Sequence, residues 1–319
     1  ICASYAPVME SFSIDEVFLD MTGTSLIYPD PVRTAHEIKD KIRNELGFTV
    51  NVGISTNKLL AKMASDFEKP DKVHTLFPDE IPEKMWPLPI RNLLFLGKAS
   101  EQKLLNQGIR TIGDLARERA SNVQYWLGEK TGHQLWQYAR GIDDSPVKAV
   151  PDEAKGFSVE TTFNDDIVSV EQVLPILLEQ CDVVATRMRR KEKKCTSVSV
   201  TFRTLDFRNK SHQTTLPNAT DMTDEIYKNA KKLFIESWKG EPLRLIGVAL
   251  TNLTDESFEQ MSLFEDNEQK ERHRKLDATM DAIRQKFGND KITRASIMNS
   301  NTGIARKARA QMKNEDEKK

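Results

Sequence analysis

Cysteine, net charge and long apolar runs are all scarce in this sequence. Its three cysteines, Cys2, Cys181 and Cys195, are too few and too scattered for a disulfide framework or a zinc site, which favours a reducing cytosol. The formal net charge is -1, so any nucleic-acid surface has to come from local clusters of basic residues. No apolar run approaches the length that spans a bilayer, so we expect no membrane partner. With 38% hydrophobic and 30% charged residues, the 319-residue chain is predicted to form two or three globular domains.

The first residues give no sign of a targeting segment. The segment ICASYAPVME has neither the basic start nor the long apolar stretch of a signal peptide. Because the first residue is Ile1 and not Met, the simpler interpretation is that the sequence begins inside a larger protein.

The first part of the chain predicts a small α/β layer. Residues 12–22, FSIDEVFLDMT, alternate apolar and polar side chains as a strand does. A helix follows over PDPVRTAHEIKDKIRNELG and stops at Gly47, then a strand at FTVNVGIST, a short helix at NKLLAKMASDF and a possible strand at VHTLF. The predicted buried positions of the two helices are Ala35, Ile38, Ile42, Leu46, Leu59, Leu60, Met63 and Phe67.

The middle of the chain predicts a linker and a helical domain. The four prolines of residues 78–90 argue against regular structure there. Residues 91–141 predict short helices separated by glycines, with Thr111 as an N-cap and Asp114 in a capping-box position.

The last third predicts a second domain with strands and helices in the order β-α-β-β-α-β, a small ferredoxin-like sandwich. A polar linker at residues 144–155 precedes it, and the charged end ARKARAQMKNEDEKK predicts a disordered tail. The fold class is therefore α+β. The predicted domains are residues 1–78, 79–143, 156–256 and 257–319, with 144–155 as the linker. The last of them contains a predicted helix at LDATMDAIRQKFG, whose apolar face of Leu276, Met280, Ile283 and Phe287 would pack on the preceding domain or bind a partner.

Asp15 and Glu16 are candidate metal ligands. They lie within a predicted strand that is otherwise apolar, where carboxylates are costly unless they are paired with cations. Two magnesium ions would suit their oxygens and would clamp the reacting oxygens of a phosphoryl transfer. The alternative is that one acid faces solvent and the other caps a loop, since neighbours on a strand point to opposite faces.

Two further segments suggest phosphate binding. Lys69 follows the second predicted helix and could bind a nucleotide triphosphate, or could simply complement the end of that helix. Residues 94–115, with Gly97 at the turn and Lys98 after it, have the pattern of a helix-hairpin-helix that offers backbone N–H groups to a DNA phosphate. An ordinary αα-hairpin also needs a glycine there.

Basic residues crowd at the end of a predicted helix, and a short apolar segment follows the last predicted strand. The basic group either binds the phosphates of a DNA duplex or is a solvated helix end. Its members are Arg187, Arg189, Arg190, Lys191, Lys193 and Lys194, and the strand residues Arg203, Arg208 and Lys210 would extend it. The segment Gln260, Met261, Ser262, Leu263 and Phe264 would suit docking into a hydrophobic pocket, or would pack back on its own domain.

In these motifs the sequence resembles the bacterial Y-family translesion DNA polymerases, of the UmuC/DinB and ImpB/MucB/SamB type. SIDEVFLDMTG and GIST-NKLLAKMASDFEKPD are similar to the two palm signatures of that family, and QMSLF resembles its sliding-clamp-binding pentapeptide. The resemblance covers roughly residues 5–265. It implies a palm, a helix-hairpin-helix thumb and a little finger in the order predicted above.

The resemblance also implies an activity and a set of roles. Asp15 and Glu16 would be catalytic ligands of a two-metal Mg²⁺ site, Lys69 would contact the incoming deoxynucleotide triphosphate, and Ser13 would lie beside the active centre. The little finger would hold the primer-template DNA, and Ser158, Thr161 and Arg203 are candidate contacts beside Gly97, Lys98 and the basic group. The implied process is error-prone synthesis across damaged DNA in the SOS response, with the replicative sliding clamp as a partner.

Three departures from the family pattern qualify these expectations. The family has a further metal-binding aspartate and the fingers at its N-terminal side, which this sequence does not contain, so we expect little activity from this chain alone. Phe95 stands where a thumb glycine is usual, and no basic residue lies near Val159.

Two rival hypotheses remain open at this point. One is a non-catalytic module that binds DNA and the clamp. The other is a helix-hairpin-helix nuclease, which would need more acids on the first sheet than Asp20.

Overall fold

A computed structural model describes residues 1–255, 267–288 and 291–297. The chain divides into two compact units, Ile1–Asp152 and Glu153–Lys319. The mixed content of helices and strands confirms the predicted α+β class.

The first unit opens with a β-hairpin followed by a helix. Strands β1 (Val8–Ser11) and β2 (Val17–Asp20) pair antiparallel, with Ser11 opposite Val17. The prediction of one continuous strand over residues 12–22 is therefore wrong, because residues 12–16 form the turn of the hairpin. Phe12 N–H and Ser13 N–H both donate to Glu16 O and close this turn.

Helix α1 (Pro31–Leu46) confirms the prediction made from its end signals. Asp30 accepts hydrogen bonds from the first backbone N–H groups, and Gly47 ends the helix in the left-handed region at φ 76°. Ile38 and Ile42 are buried with Tyr5 in a small core, whereas Leu46 is 56% exposed, contrary to the prediction.

Strands β3 (Val52–Ile54) and β4 (Val73–Thr75) form a parallel pair that is bridged by helix α2 (Lys58–Ser65). Gly53 allows this close packing, since a Cβ on it would lie 1.9 Å from Ala61 O. Leu59, Leu60 and Met63 of α2 are buried as predicted.

The proline-rich segment is more ordered than the sequence suggests. Short helical turns occupy Pro78–Glu80, Ile81–Met85 and Ile90–Asn92, and Ile81, Met85 and Ile90 are buried. Proline is compatible with the first position of a helical turn, where its missing N–H is not needed. The apolar side chains of this segment thus join α2 to the helices that follow in one core.

Four helices complete the first unit: α3 (Lys98–Asn106), α4 (Ile112–Arg117), α5 (Ala120–Leu127) and α6 (Glu129–Ala139). Thr111 and Asp114 form the predicted capping box at the start of α4. Helix α2 shares a core with these helices, and residues 1–152 form one compact unit. The boundary between palm and thumb near residue 78 therefore stays a prediction.

The second unit has the predicted β-α-β-β-α-β order. Its elements are β5 (Gly156–Ile167), α7 (Val170–Arg189), β6 (Lys194–Thr204), β7 (Asn209–Thr220), α8 (Thr223–Ser237) and β8 (Leu243–Thr254). The strands form one antiparallel sheet in the order β5-β8-β6-β7, so each helical connection passes one intervening strand. Helices α7 and α8 cover one face of this sheet and enclose its apolar core.

A further helix, α9 (Asn267–Phe287), is tied to α7 and α8 by buried ion pairs. We call this group the α9 cluster, and its charged members are Asp182, Arg189, Asp224, Asp277, Asp281, Arg284 and Arg294. Arg284 contacts Asp182 at 2.6 Å, and the two side chains are 4% and 5% exposed. The sequence predicts a helix here that packs on the preceding domain or binds a partner, and the structure packs it on the second unit. The face that packs includes Asp277, Met280 and Arg284, whereas Leu276 and Phe287 of the predicted apolar face are exposed.

Candidate active site and nucleic-acid interface

The two candidate metal ligands lie in the exposed turn of the first hairpin. Asp15 is exposed and accepts a hydrogen bond from Ser13 Oγ at 2.8 Å, and its neighbour Ile14 is 85% exposed. The expected apolar setting is therefore absent, because the acids lie between the strands and not within one. The carboxylate of Asp15 is thus open to a ligand that approaches this turn, whereas that of Glu16 is partly covered.

A chain of ion pairs connects this turn to Lys69. Lys62 on α2 contacts Glu16 at 2.9 Å and Asp66 at 2.6 Å, and Asp66 in turn contacts Lys69 at 2.7 Å. Burial alone would lower the pKa of Lys62, but its hydrogen bonds to Asp66 and Glu16 raise it. Burial would likewise raise the pKa of Asp66, yet its hydrogen bonds from Lys62 and Lys69 lower it. The carboxylate at position 16 and the candidate triphosphate-binding lysine thus belong to one charged network.

A second ion pair fixes the hairpin against α2. Lys58 Nζ lies 2.8 Å from Glu10 on β1, and the backbone N–H of Lys148 also donates to Glu10. Burial would raise the pKa of Glu10, but these hydrogen bonds lower it below its ordinary value. Lys58 also lies over the ring of Phe18, 5.2 Å from its centroid. The hairpin that carries Asp15 is therefore held at both of its strands.

The carboxylates of Asp15 and Glu16 fit a hard cation in their chemistry. Carboxylate oxygens are the ligands that Mg²⁺ prefers, and Mg²⁺ retains several waters when proteins supply only one or two such ligands. Within residues 1–255, 267–288 and 291–297, no group of three or more His, Cys, Asp or Glu is placed to hold a metal ion. At this turn the described residues therefore offer a metal ion two carboxylates, those of Asp15 and Glu16.

The predicted helix-hairpin-helix turn precedes α3. Gly97 is the N-cap of α3 at φ -79° and has no side-chain cap, and Lys98 is exposed beside it. A Cβ built on Gly97 would meet nothing within 4 Å, so neither the backbone conformation nor the packing of this unit requires glycine there. The open N–H groups at the start of a helix favour an anion such as a phosphate.

Phe95 adopts the backbone conformation that glycine favours. Its φ is 64°, and its exposed ring lies 6.2 Å from the rings of both Phe12 and Tyr138. The departure noted in the sequence thus lies at a position where a side chain is strained. The turn nevertheless forms, with Leu96 N–H donating to Leu93 O.

The face of the second unit's sheet that points away from α7 and α8 is polar and consists mainly of small side chains. The strand register places its outward residues in four rows: Gly156–Thr251–Ser197–Thr215, Ser158–Ala249–Ser199–Gln213, Glu160–Gly247–Thr201–Ser211 and Thr162–Leu245–Arg203–Asn209. Most of these side chains are small, and many carry hydroxyl or amide groups. Such a surface can approach a DNA backbone closely, and its hydroxyl and amide groups can donate hydrogen bonds to the phosphate oxygens.

Two of the predicted DNA contacts do not lie on this face. Thr161 accepts a hydrogen bond from Gln180 of α7 at 3.3 Å, so it points to the helical side, opposite to Ser158. Arg189 pairs with Asp281 at 2.7 Å and with Asp277 at 3.3 Å in the α9 cluster. Both residues are engaged inside the protein, and we do not retain them as DNA contacts.

The other predicted contacts have separate positions. Arg203 lies on the outward sheet face, where its Nε donates to Asn209 Oδ1 at 2.7 Å. Arg187 donates to Ser158 O at 3.2 Å, whereas Lys191 is exposed beyond the end of α7, next to Arg190. The structure therefore divides the basic group of the sequence between an internal cluster and the surface. Lys193 belongs to neither part, because it is mostly covered and pairs with Glu153 and Asp255.

Sequence reasoning missed two features of these sites. Lys62 was assigned no role, although its spacing from Asp66 is that of a helical ion pair. The row of hydroxyl residues at alternate positions of β6, Ser197, Ser199 and Thr201, is visible in the sequence as a period-2 pattern. The segment Gln260–Phe264 lies outside the described residues.

Comparisons with known proteins match three parts of the chain to family profiles. Residues 1–66 match the impB/mucB/samB family, residues 95–143 match the description "DNA polymerase-iota, thumb domain", and residues 154–263 match the impB/mucB/samB family C-terminal domain. None of the described helices is long and apolar enough to cross a membrane.

Individual proteins match over most of the chain. DNA polymerase IV of Clostridium acetobutylicum is 45% identical over 294 residues, which are 92% of this chain and 74% of that protein. DNA polymerase IV of Alkaliphilus oremlandii is 37% identical over 308 residues, covering 93% of this chain and 77% of that protein.

A solved structure has the same fold. A Y-family DNA polymerase chimera superimposes with a TM-score of 0.69 at 23% identity, covering 80% of this chain and 73% of that one. Together with the relatives and profiles above, the hairpin carboxylates and the two-unit fold lead to one assignment: the chain belongs to the bacterial Y-family of DNA polymerases.

Proposed function

We propose that this protein carries out template-directed DNA synthesis across damaged bases, as a DNA-directed DNA polymerase. The observation that carries the proposal is the juxtaposition, through Lys62 and Asp66, of the hairpin carboxylate Glu16 with Lys69. A polymerase must hold metal-binding carboxylates and a triphosphate-binding cation close together, and this network links one of each.

The hairpin residues would bind the catalytic metal. Asp15 and Glu16 would hold Mg²⁺, and Ser13 would orient the carboxylate of Asp15 through its hydrogen bond. Bound magnesium would supply charge stabilisation for the phosphoryl transfer. Lys69, whose side chain is 59% exposed, would bind the phosphates of the deoxynucleotide, while Asp66 restrains its position.

Two surfaces would bind the primer-template DNA. Gly97 and Lys98 would receive one backbone phosphate at the start of α3, where glycine permits close approach. The outward sheet face of the second unit would lie against the duplex, with Ser158 and Arg203 among its contacts and with Arg187, Arg190 and Lys191 near its edge. Because these contacts are with phosphates and not with base edges, they suit a template of any sequence.

The segment Gln260–Phe264 would dock on the replicative sliding clamp. The support for this is its sequence alone, a glutamine followed by an apolar pair, and its position directly after the second unit's sheet. We further propose that the protein acts in the cytoplasm as part of the SOS response, on the strength of the family resemblance.

Primer extension tests the proposed activity. The full-length product of the encoding gene should extend a primer on undamaged and abasic templates with magnesium. Asp15→Asn and Glu16→Gln should each lower the rate by roughly 100-fold or more, since a metal contributes several kcal/mol to the transition state. Asp79→Asn, an exposed acid far along the chain, is the matched control and should leave the rate unchanged.

Duplex binding separates the polymerase from its rival. Both carboxylate variants should bind primer-template DNA as tightly as the parent does. Duplex binding without any primer extension by the parent protein would refute the polymerase proposal and would favour a non-catalytic DNA-binding module.

A further inference from the structure

Glu160 is an isolated acid in the middle of the outward sheet face. It lies on β5 in the row Glu160–Gly247–Thr201–Ser211, and it is exposed. In the four paired rows of that face it is the sole acidic residue, and Arg203 is the sole basic one. Among the described residues, no hydrogen bond or ion pair engages its carboxylate.

The neighbouring strand leaves room for this side chain. A Cβ built on Gly247 would come within 2.8 Å of the Glu160 Cβ and 3.1 Å of Val159 O. Glycine at position 247 therefore lets the stem of Glu160 lie close against the sheet.

Within the described part of the chain, no helix of the second unit covers the outward face of its sheet. Helices α7 and α8 pack on the other face, and the α9 cluster holds α9 against those helices. A duplex that binds this unit through small hydroxyl side chains would thus place its phosphates near position 160.

We infer that Glu160 is an affinity-limiting determinant of duplex binding, a fixed negative charge that weakens the grip of this unit on the DNA backbone. The inference rests on the proposed DNA-binding function of the sheet face. An acid close to phosphates repels them, and salt screens this repulsion.

Fluorescence anisotropy with a labelled primer-template duplex tests the inference. Glu160→Gln keeps the size of the side chain and removes its charge. It should tighten binding by about two- to fivefold at low salt, the range expected for one exposed charge, and by less at high salt. Arg203→Gln should weaken binding by a similar factor.

Glu236→Gln is the matched control. It makes the same chemical change and the same change in net charge, but Glu236 is exposed on α8, on the other side of the sheet. We expect its affinity to equal that of the parent. Thermal unfolding should show all three variants folded, because each altered side chain is on the surface.

The outcomes separate this inference from the proposed function. An unchanged or weaker affinity of Glu160→Gln, in a parent chain that binds the duplex, overturns the inference and leaves the proposed function standing. An equal gain in Glu236→Gln also overturns it, because net charge would then be the cause. No duplex binding by the parent overturns both.

Discussion

The α9 cluster makes a strong prediction about stability, which Arg284→Met tests. Arg284 lies 2.6 Å from Asp182, and both side chains are almost fully buried. Methionine keeps an unbranched stem and a good helix propensity, so the substitution removes mainly the guanidinium. Asp182 would then be a buried carboxylate whose remaining ion pair, among the described residues, is with Arg294 at 3.6 Å.

The expected loss is large. Breaking a buried pair by removing one partner costs about 3–5 kcal/mol, and the distant contact with Arg294 places this case near the lower end, at about 3 kcal/mol. For a unit of this size, each kcal/mol lowers the melting temperature by roughly 2–4 °C, so we expect a decrease of about 6–12 °C. Differential scanning calorimetry would show this shift in the transition of the second unit.

Two companion variants define the cause. Lys275→Met makes a comparable change on the exposed side of α9, where the lysine is 74% exposed and 3.8 Å from Glu271, and it should change stability by less than about 0.5 kcal/mol. Asp182→Asn combined with Arg284→Met should recover part of the loss, since it removes the uncompensated charge. A cost below about 1 kcal/mol for Arg284→Met would refute the argument that this pair anchors α9.

Three other predictions follow from single sites. The pKa of Glu10 is lowered in the folded chain, so the ionised carboxylate stabilises the fold above the ordinary pKa of 4.5. This stabilisation is lost as the pH falls through the lower pKa of the folded state. The melting temperature of Glu10→Gln should therefore depend less on pH in that range than the melting temperature of the parent. Phe95→Gly should be more stable than Phe95→Ala by about 1 kcal/mol in urea titrations, because both delete the ring while only glycine adopts φ 64° without strain; equal stabilities would contradict the strain argument. Burial raises the pKa of the Cys195 thiol to about 12 and also raises that of Cys181, so a thiol reagent should react with Cys2 in the native chain and with the other two only after unfolding.

Local signals in the sequence were sufficient for many elements of the fold. Asp30 and Gly47 determine the ends of α1, and Thr111 with Asp114 determines the start of α4, because capping depends on residues three or four positions apart. The β-α-β-β-α-β order of the second unit could likewise be read from periodicity alone. Helical turns in the proline-rich segment were missed, since burial of Ile81 and Met85 against distant helices stabilises them.

The chemical surroundings of the candidate site residues were decided by the tertiary structure. The sequence identified Asp15, Glu16 and Lys69, but the turn that exposes the acids and the Lys62–Asp66 link depend on pairing β1 with β2 and on packing that hairpin against α2. Arg189 shows the same limit, since one basic run in the sequence contains both surface side chains and a buried partner of α9. Charge alone does not distinguish these positions, because the acids that pair with Arg189 lie roughly ninety residues further along the chain. The sequence by itself determined most of the elements and the chemical groups, and the long-range contacts of the folded chain decided which of those groups meet.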